Sequence, residues 1–263
     1  QTSFDLEKFW IDGGNAHAAE SVGVELRATQ PIEATDAAGN PVRYEAGDVL
    51  GAWSLEAGRH WSATVALPLA GVTTDKLALV EVSATAADGV VSTVMSQEEF
   101  ASWATGHGIV YNPYTFSDPA ASVLVHGGYV YEVSSSYDQE RGAFAVTNRR
   151  VGSVSLNVEK AWADRRADPG DEQVPRPQAL ISLRCVEYPA SIGTDADGNG
   201  YVVRYDGVRV PILAADGTPM PATVAVDTPV GAYESSYSFN NLPKYDAAGT
   251  RIHYRVVETW AEG

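Results

Sequence analysis

One seven-residue pattern occurs twice, with a spacing of 152 residues. Residues 4–10 read Phe4-Asp-Leu-Glu-Lys-Phe-Trp10, and residues 156–162 read Leu156-Asn-Val-Glu-Lys-Ala-Trp162. A strand turns alternate side chains to opposite faces. Phe4, Leu6, Lys8 and Trp10 therefore share one face, as do Leu156, Val158, Lys160 and Trp162. Each lysine points where a core is expected, between large apolar neighbours. An unpaired ammonium is costly to bury, so each lysine calls for a partner or a chemical task.

The rest of the chain is built from short apolar runs separated by Gly, Pro, Asp and Asn turns. The runs predict strands at 4–11, 21–28, 61–67, 77–83, 123–134 and 142–148. In the second half they predict strands at 153–162, 179–187, 200–205, 208–213, 222–226, 235–240 and 252–260. One helix is predicted over about 97–105. There Ser96-Gln-Glu-Glu99 forms a capping box, with Phe100 and Trp103 behind it. With 263 residues, 44% of them hydrophobic, the chain is long enough for two cores. The expected domains are 1–150, with an insertion at about 84–128, and 151–263.

The halves align beyond the lysines. Ser21–Ala28 matches Gln178–Cys185, Trp61–Leu69 matches Tyr237–Tyr245, and Leu77–Val82 matches Tyr254–Thr259. Leu77, Leu79 and Glu81 share a face, as do Tyr254, Val256, Glu258 and Trp260. Each half thus carries an apparently inward glutamate as well as an inward lysine. In the first half the last strand also turns Asn148 inward, beside Phe144 and Val146. On the residues alone, a buried Lys–Glu salt bridge accounts for each pair.

Several words carry a family resemblance. They are Val158-Glu-Lys-Ala-Trp-Ala-Asp164, Arg176-Pro177, Phe239-Asn-Asn-Leu-Pro-Lys-Tyr-Asp246 and Tyr254-Arg-Val-Val-Glu258. Together they make the second half resemble a Cna protein B-type domain, a repeat of Gram-positive surface adhesins and pilins. The first half looks like a more divergent copy, through Glu7-Lys-Phe-Trp10, Leu67-Pro68, Leu79-Val-Glu81, Gly128-Tyr129 and Val146-Thr-Asn148. The resemblance implies an all-β fold of two tandem immunoglobulin-like (transthyretin-like, reverse-immunoglobulin) β-sandwiches. It also implies a self-formed isopeptide bond, made once per molecule and without an external enzyme. Carried over, Lys8 is the nucleophile, Glu81 the catalytic acid/base and Asn148 the acceptor. The second domain offers Lys160 and Glu258. A final strand with the acceptor for Lys160 has no counterpart before Gly263, so that strand is expected to lie beyond these residues or to be supplied by another chain or a separated peptide.

The remaining residues bound the function. Net charge is −16, with a pI near 4.6, which argues against nucleic acid. No apolar run is long enough for membrane insertion. Gln1 opens directly on polar sequence, so no signal peptide is expected within these residues: one has been removed, or the chain is an internal fragment. Cys185 is the only cysteine and reads as a small core residue. Asp195, Asp197, Asn199 and Asp206 have calcium-loop spacing, but strand-like flanks favour a plain hairpin turn. No metal, cofactor or multiple-turnover enzyme activity is expected. The implied partners are neighbouring domains of the same surface protein or pilus. A host protein or glycan is the rival partner, recognised through Trp103, Tyr111, Tyr114 and Phe116 of the insertion. That segment could equally cap an open sheet edge. The implied setting is an extracellular, cell-wall-anchored surface protein whose anchor is not in these residues.

Overall fold

The computed structural model describes residues 2–14, 18–109, 111–163, 176–188, 191–228 and 232–261. Asp164, the last residue of the first matching word, lies outside them. The chain divides into two compact units, Gln1–Val151 and Gly152–Gly263. The architecture is all-β with one α-helix among the described residues.

The first unit contains β1 (Thr2–Ile11), β2 (Ala19–Ala28), β3 (Ile32–Thr35), β4 (Pro41–Tyr44), β5 (Val49–Glu56), β6 (Ser62–Leu67) and β7 (Leu77–Ala86). There follow β8 (Val91–Thr93), α1 (Gln97–Gly106), β9 (Ser122–His126), β10 (Tyr129–Asp138) and β11 (Ala143–Val151). One sheet has the order β6-β1-β11-β10-β9; the other has β5-β2-β7-β8. Their inner faces meet in one core. Phe4, Leu6, Phe144 and Val146 come from the first sheet; Val22, Val24, Leu26 and Leu79 come from the second. Each fully buried aliphatic side chain contributes about 1.5–3 kcal/mol by leaving water. The first and last strands, β1 and β11, lie side by side and parallel, with Lys8 opposite Val146 and Trp10 opposite Asn148. Parallel pairing lays the first and last strands side by side, with the start and the end of the unit at opposite ends of the pair.

Three sequence expectations need revision here. The run 123–134 is a hairpin, not one strand, because Gly127 and Gly128 both take positive φ (58° and 80°) and reverse the chain. The sequence also missed β3, β4, β5 and β8. Finally, Val65 faces Phe4 as Phe239 faces Leu156, so the Trp61–Tyr237 match is displaced by two residues. An even displacement preserves the buried face.

The 84–128 segment both extends a sheet and covers one. Its β9 pairs with β10 and forms the sheet edge. Helix α1 brings Phe100 and Ala104 onto a satellite core with Phe116, Val123 and Val151, against which Trp103 and Tyr111 pack. Buried Glu132 pins the segment by accepting from the backbone N–H (2.6 Å) and the hydroxyl of Ser117. The capping box is complete: Ser96 Oγ accepts from Glu99 N (3.1 Å), and Glu99 Oε2 accepts from Ser96 N (2.7 Å). Replacing Ser96 with Ala should therefore cost about 1 kcal/mol. Faster amide exchange at Glu99 and Phe100, with β1 and β11 unchanged, is the expected readout.

The second unit contains β12 (Ser153–Ala161), β13 (Ala179–Cys185), β14 (Ile192–Thr194), β15 (Gly200–Val203), β16 (Arg209–Pro211), β17 (Thr223–Ala225), β18 (Glu234–Pro243) and β19 (Tyr254–Trp260). These form sheets β12-β18, β17-β13-β19 and β14-β15-β16. Ile181, Leu183, Ile212, Phe239 and Leu242 centre its core. The small sheet β14-β15-β16 lies between β13 and β17 in the chain. Buried Cys185 is a core side chain at the end of β13.

Candidate functional site

Strand parity puts Lys8 among Phe4, Leu6 and Trp10, and the fold seals it in. Lys8 is 4% exposed, Glu81 2% and Asn148 0%. Lys8 Nζ lies 3.0 Å from Glu81 Oε2. Asn148 Nδ2 donates to Glu81 Oε1 at 2.8 Å. One carboxyl group therefore touches both the amine and the carboxamide. Lys8 and Asn148 belong to one sheet, on β1 and β11. Glu81 reaches them across the core from β7 of the facing sheet.

A β-bulge follows Glu81 on β7. Val24 pairs with Glu81 while Gly23 pairs with Ser83, so Val82 is extra on β7. The alternation shifts there, and Leu79, Glu81 and Ala84 all face inward. Trp10 lies 4.3 Å below the Lys8 ammonium, and Trp61 and Tyr131 pack edge-on against Trp10. The side chains of Lys8 and Glu81 are both fully shielded from solvent.

Burial pulls the Lys8 pKa down to about 8, and Glu81 opposes the shift by charge and hydrogen bonding. The pair can hold its proton on either partner, as ammonium with carboxylate or as amine with carboxylic acid. In the second form the carboxyl group that holds the neutral amine also holds the carboxamide. Asn148 Oδ1 is buried without a hydrogen-bond partner, at the atom where negative charge would develop during attack. The arrangement is competent for acyl transfer from Asn148 to Lys8.

The second unit repeats half of this. Lys160 Nζ lies 3.0 Å from Glu258 Oε1 and 4.3 Å from the Trp162 ring centre. Glu258 faces Ile181 as Glu81 faces Val24, so these equivalences of the halves hold residue for residue. The expected burial does not hold. The Lys160 side chain is 16% exposed and that of Glu258 39%, against 0% for both members of the first pair. The reason is visible in the sheet. Among the described residues β12 pairs with β18 on one edge and with no strand on the other. Asn240 and Asn241 do not serve as acceptors: their amides donate to Leu213 O (3.2 Å) and Pro211 O (2.8 Å).

The calcium-like spacing is a turn. Asp195 Oδ1 accepts from the backbone N–H groups of Asp197 and Asn199 at 2.9 and 2.8 Å. Asp206 grips Arg204 through both carboxylate oxygens, at 2.8 and 2.7 Å. Among the described residues no cluster of three metal-ligating side chains forms. No helix among them is long and apolar enough to cross a membrane.

These features define an all-β architecture with a buried Lys–Glu–Asn trio drawn from the first and last strands and the facing sheet. Residues 195–263 match the Cna protein B-type domain. Similar solved structures include two B repeat units of the collagen-binding protein of Staphylococcus aureus, at 16% identity and TM-score 0.32. That match covers 98% of this chain, which spans 44% of the other. A single B repeat unit of the same protein gives 13% identity and TM-score 0.25, with 98% and 84% covered. The pilus adhesin SpaC from Lactobacillus rhamnosus GG gives 12% identity and TM-score 0.29, with 89% and 27% covered. No curated protein matches the chain.

Proposed function

We propose that this chain is a structural stalk module of an extracellular Gram-positive adhesin or pilus, locked by an isopeptide bond between Lys8 and Asn148. The observation that carries this reading is the convergence of Lys8, Glu81 and Asn148 on one buried carboxyl group. Lys8 Nζ attacks Asn148 Cγ, and Glu81 moves a proton from the amine to the departing nitrogen. One C–N bond forms, one breaks, and ammonia leaves. Orientation by the fold replaces diffusive encounter. The protein is its own substrate and turns over once.

The function follows from where the bond lies. Tension entering through β1 passes directly into β11 and leaves the rest of the sandwich unloaded. Such a chain serves as a spacer or stalk among like domains. The rival reading, a ligand site on 84–128, draws less support, because Trp103, Tyr111 and Phe116 are used in the segment's own satellite core, and of the four aromatic candidates only Tyr114 is exposed.

Intact mass spectrometry tests the bond. The wild-type chain should be lighter than its sequence mass by one ammonia, and Glu81→Ala should have full mass. A wild-type chain at full mass would refute the bond; a loss mapping outside Lys8 and Asn148 would refute these roles.

A further inference from the structure

We infer that a cleft in the second unit is a binding site for a small organic cation, an ammonium group carried on an apolar body. The cleft has a volume of about 610 Å³. Its walls come from the ends of β13 and β15, the turn after β18 and the start of β19. Cys185 and Val202, both buried, give it an apolar floor, and Tyr188, Tyr205 and Tyr254 add aromatic walls. Tyr188 is 47% exposed and Val203 37%, so apolar surface continues to the opening. The Tyr188 hydroxyl donates to Asp246 Oδ2 at 3.2 Å and so joins the wall after β13 to the turn after β18. A concave site of roughly 300–1,000 Å³, mostly apolar with a few polar groups, suits a small molecule.

The charges select the ligand. Glu187 and Asp246 line the cleft. The His253 imidazole hydrogen-bonds Glu187 and holds its carboxyl below the usual carboxylate range. Asp246 Oδ1 accepts from the backbone N–H groups of Ala248 and Thr250, each at 2.9 Å, which fixes the carboxylate in place. The lining cation, Arg204, is already clamped by Asp206 through Nε and Nη2, at 2.8 and 2.7 Å. Three carboxylates thus stand against one guanidinium, and the excess charge is negative. Tyrosine rings attract cations as well. An ammonium on an apolar body satisfies both the floor and the rim, whereas an anion is repelled. An extended peptide is the weaker occupant. Strands β13 and β15, which supply the floor, are each the central strand of a three-stranded sheet and offer no backbone edge to pair with.

The probe is phenethylammonium, with phenethyl alcohol and hydrocinnamate as its neutral and anionic twins. Each is titrated into the intact, isotope-labelled chain and followed by amide chemical shifts. Phenethylammonium at millimolar concentration should move the resonances of Cys185, Val203 and Ala247. The alcohol should bind about fivefold more weakly, and hydrocinnamate should move none of them. Replacing Glu187 with Gln and Asp246 with Asn together should bring the cation down to the affinity of the alcohol and leave the alcohol unchanged. The unchanged alcohol separates lost charge from lost structure. Tyr188→Ala should weaken both ligands. No shift at these amides with millimolar phenethylammonium would overturn the site. Equal affinity for cation and alcohol in the wild-type chain would overturn the ligand class. So would a capped Phe-Lys dipeptide that moves the same amides at far lower concentration than phenethylammonium, since the cleft would then belong to a peptide.

Discussion

Replacing Asn148 with Ala should lower the unfolding midpoint of the first unit by about 10–20 °C. The cross-link closes a loop of ~140 residues, and the loop-entropy relation makes that worth about 5 kcal/mol. In a domain of this size each kcal/mol moves the midpoint by roughly 2–4 °C. Two smaller effects add in the same direction. The variant loses the hydrogen bond to Glu81 Oε1, and it leaves a small void beside Val146. Scanning calorimetry of the two chains measures the shift, and the Ser96→Ala change, at about 1 kcal/mol, sets the scale of an ordinary local loss. A midpoint within a few degrees of wild type would mean that no cross-link contributes. The mechanical counterpart is larger still. Pulled from its ends, the wild-type first unit should withhold the contour length of the ~140 enclosed residues, about 500 Å at full extension. The Asn148→Ala chain should release it.

The burial of Lys8, Glu81 and Asn148 was legible in the sequence, while several strands around them were not. Lys8, Glu81 and Asn148 could be placed inward because strand parity is unforgiving: one misplaced residue would have turned each outward. The strands that carry them are strongly periodic and bounded by turn residues. What periodicity cannot show is a strand with few large inward side chains. In β5, Gly51 and Ala52 interrupt the pattern and only Leu55 is fully buried, so the strand reads as a loop. The Gly127-Gly128 reversal was hidden inside an otherwise continuous apolar run. The bulge at Val82 was also invisible, although it decides that Glu81 and Ala84 face the same way. Lys160 and Glu258 show the opposite limit. Parity set them on the face of Leu156, Val158, Tyr254 and Val256, but burial depends on what lies alongside, and among the described residues β12 has a neighbour on one edge only. A face can be read from one strand; its cover cannot.

Bond formation should be level with pH near neutrality and slow as pH rises through about 8. An account based on the amine alone predicts the reverse, since more lysine is neutral at high pH. The difference comes from coupling. The reactive arrangement, neutral amine with carboxylic acid, carries one proton, as does the ion pair. Interconversion of the two is therefore independent of pH. Above the Lys8 pKa of about 8 that shared proton is lost, and the pair becomes amine with carboxylate. A nucleophile is then present, but nothing protonates the departing nitrogen. Diluting denatured, unbonded chain into buffers from neutral to alkaline pH, and following the loss of ammonia by mass, gives the profile. A rate that climbs through pH 8 would remove Glu81 from the role of proton carrier. Stability has a matching signature with its own sign. In Asn148→Ala the Lys8 amine stays free, and its folded-state pKa lies below the unfolded value of 10.5. Between these two values the unfolded chain binds more protons, so stability rises with pH there, by about 3 kcal/mol at most. In the bonded chain Lys8 is an amide with nothing to titrate, so this rise should be absent. The same alkaline interval thus separates the two states: the unbonded variant gains stability across it, and the cross-linked chain shows no Lys8-dependent change.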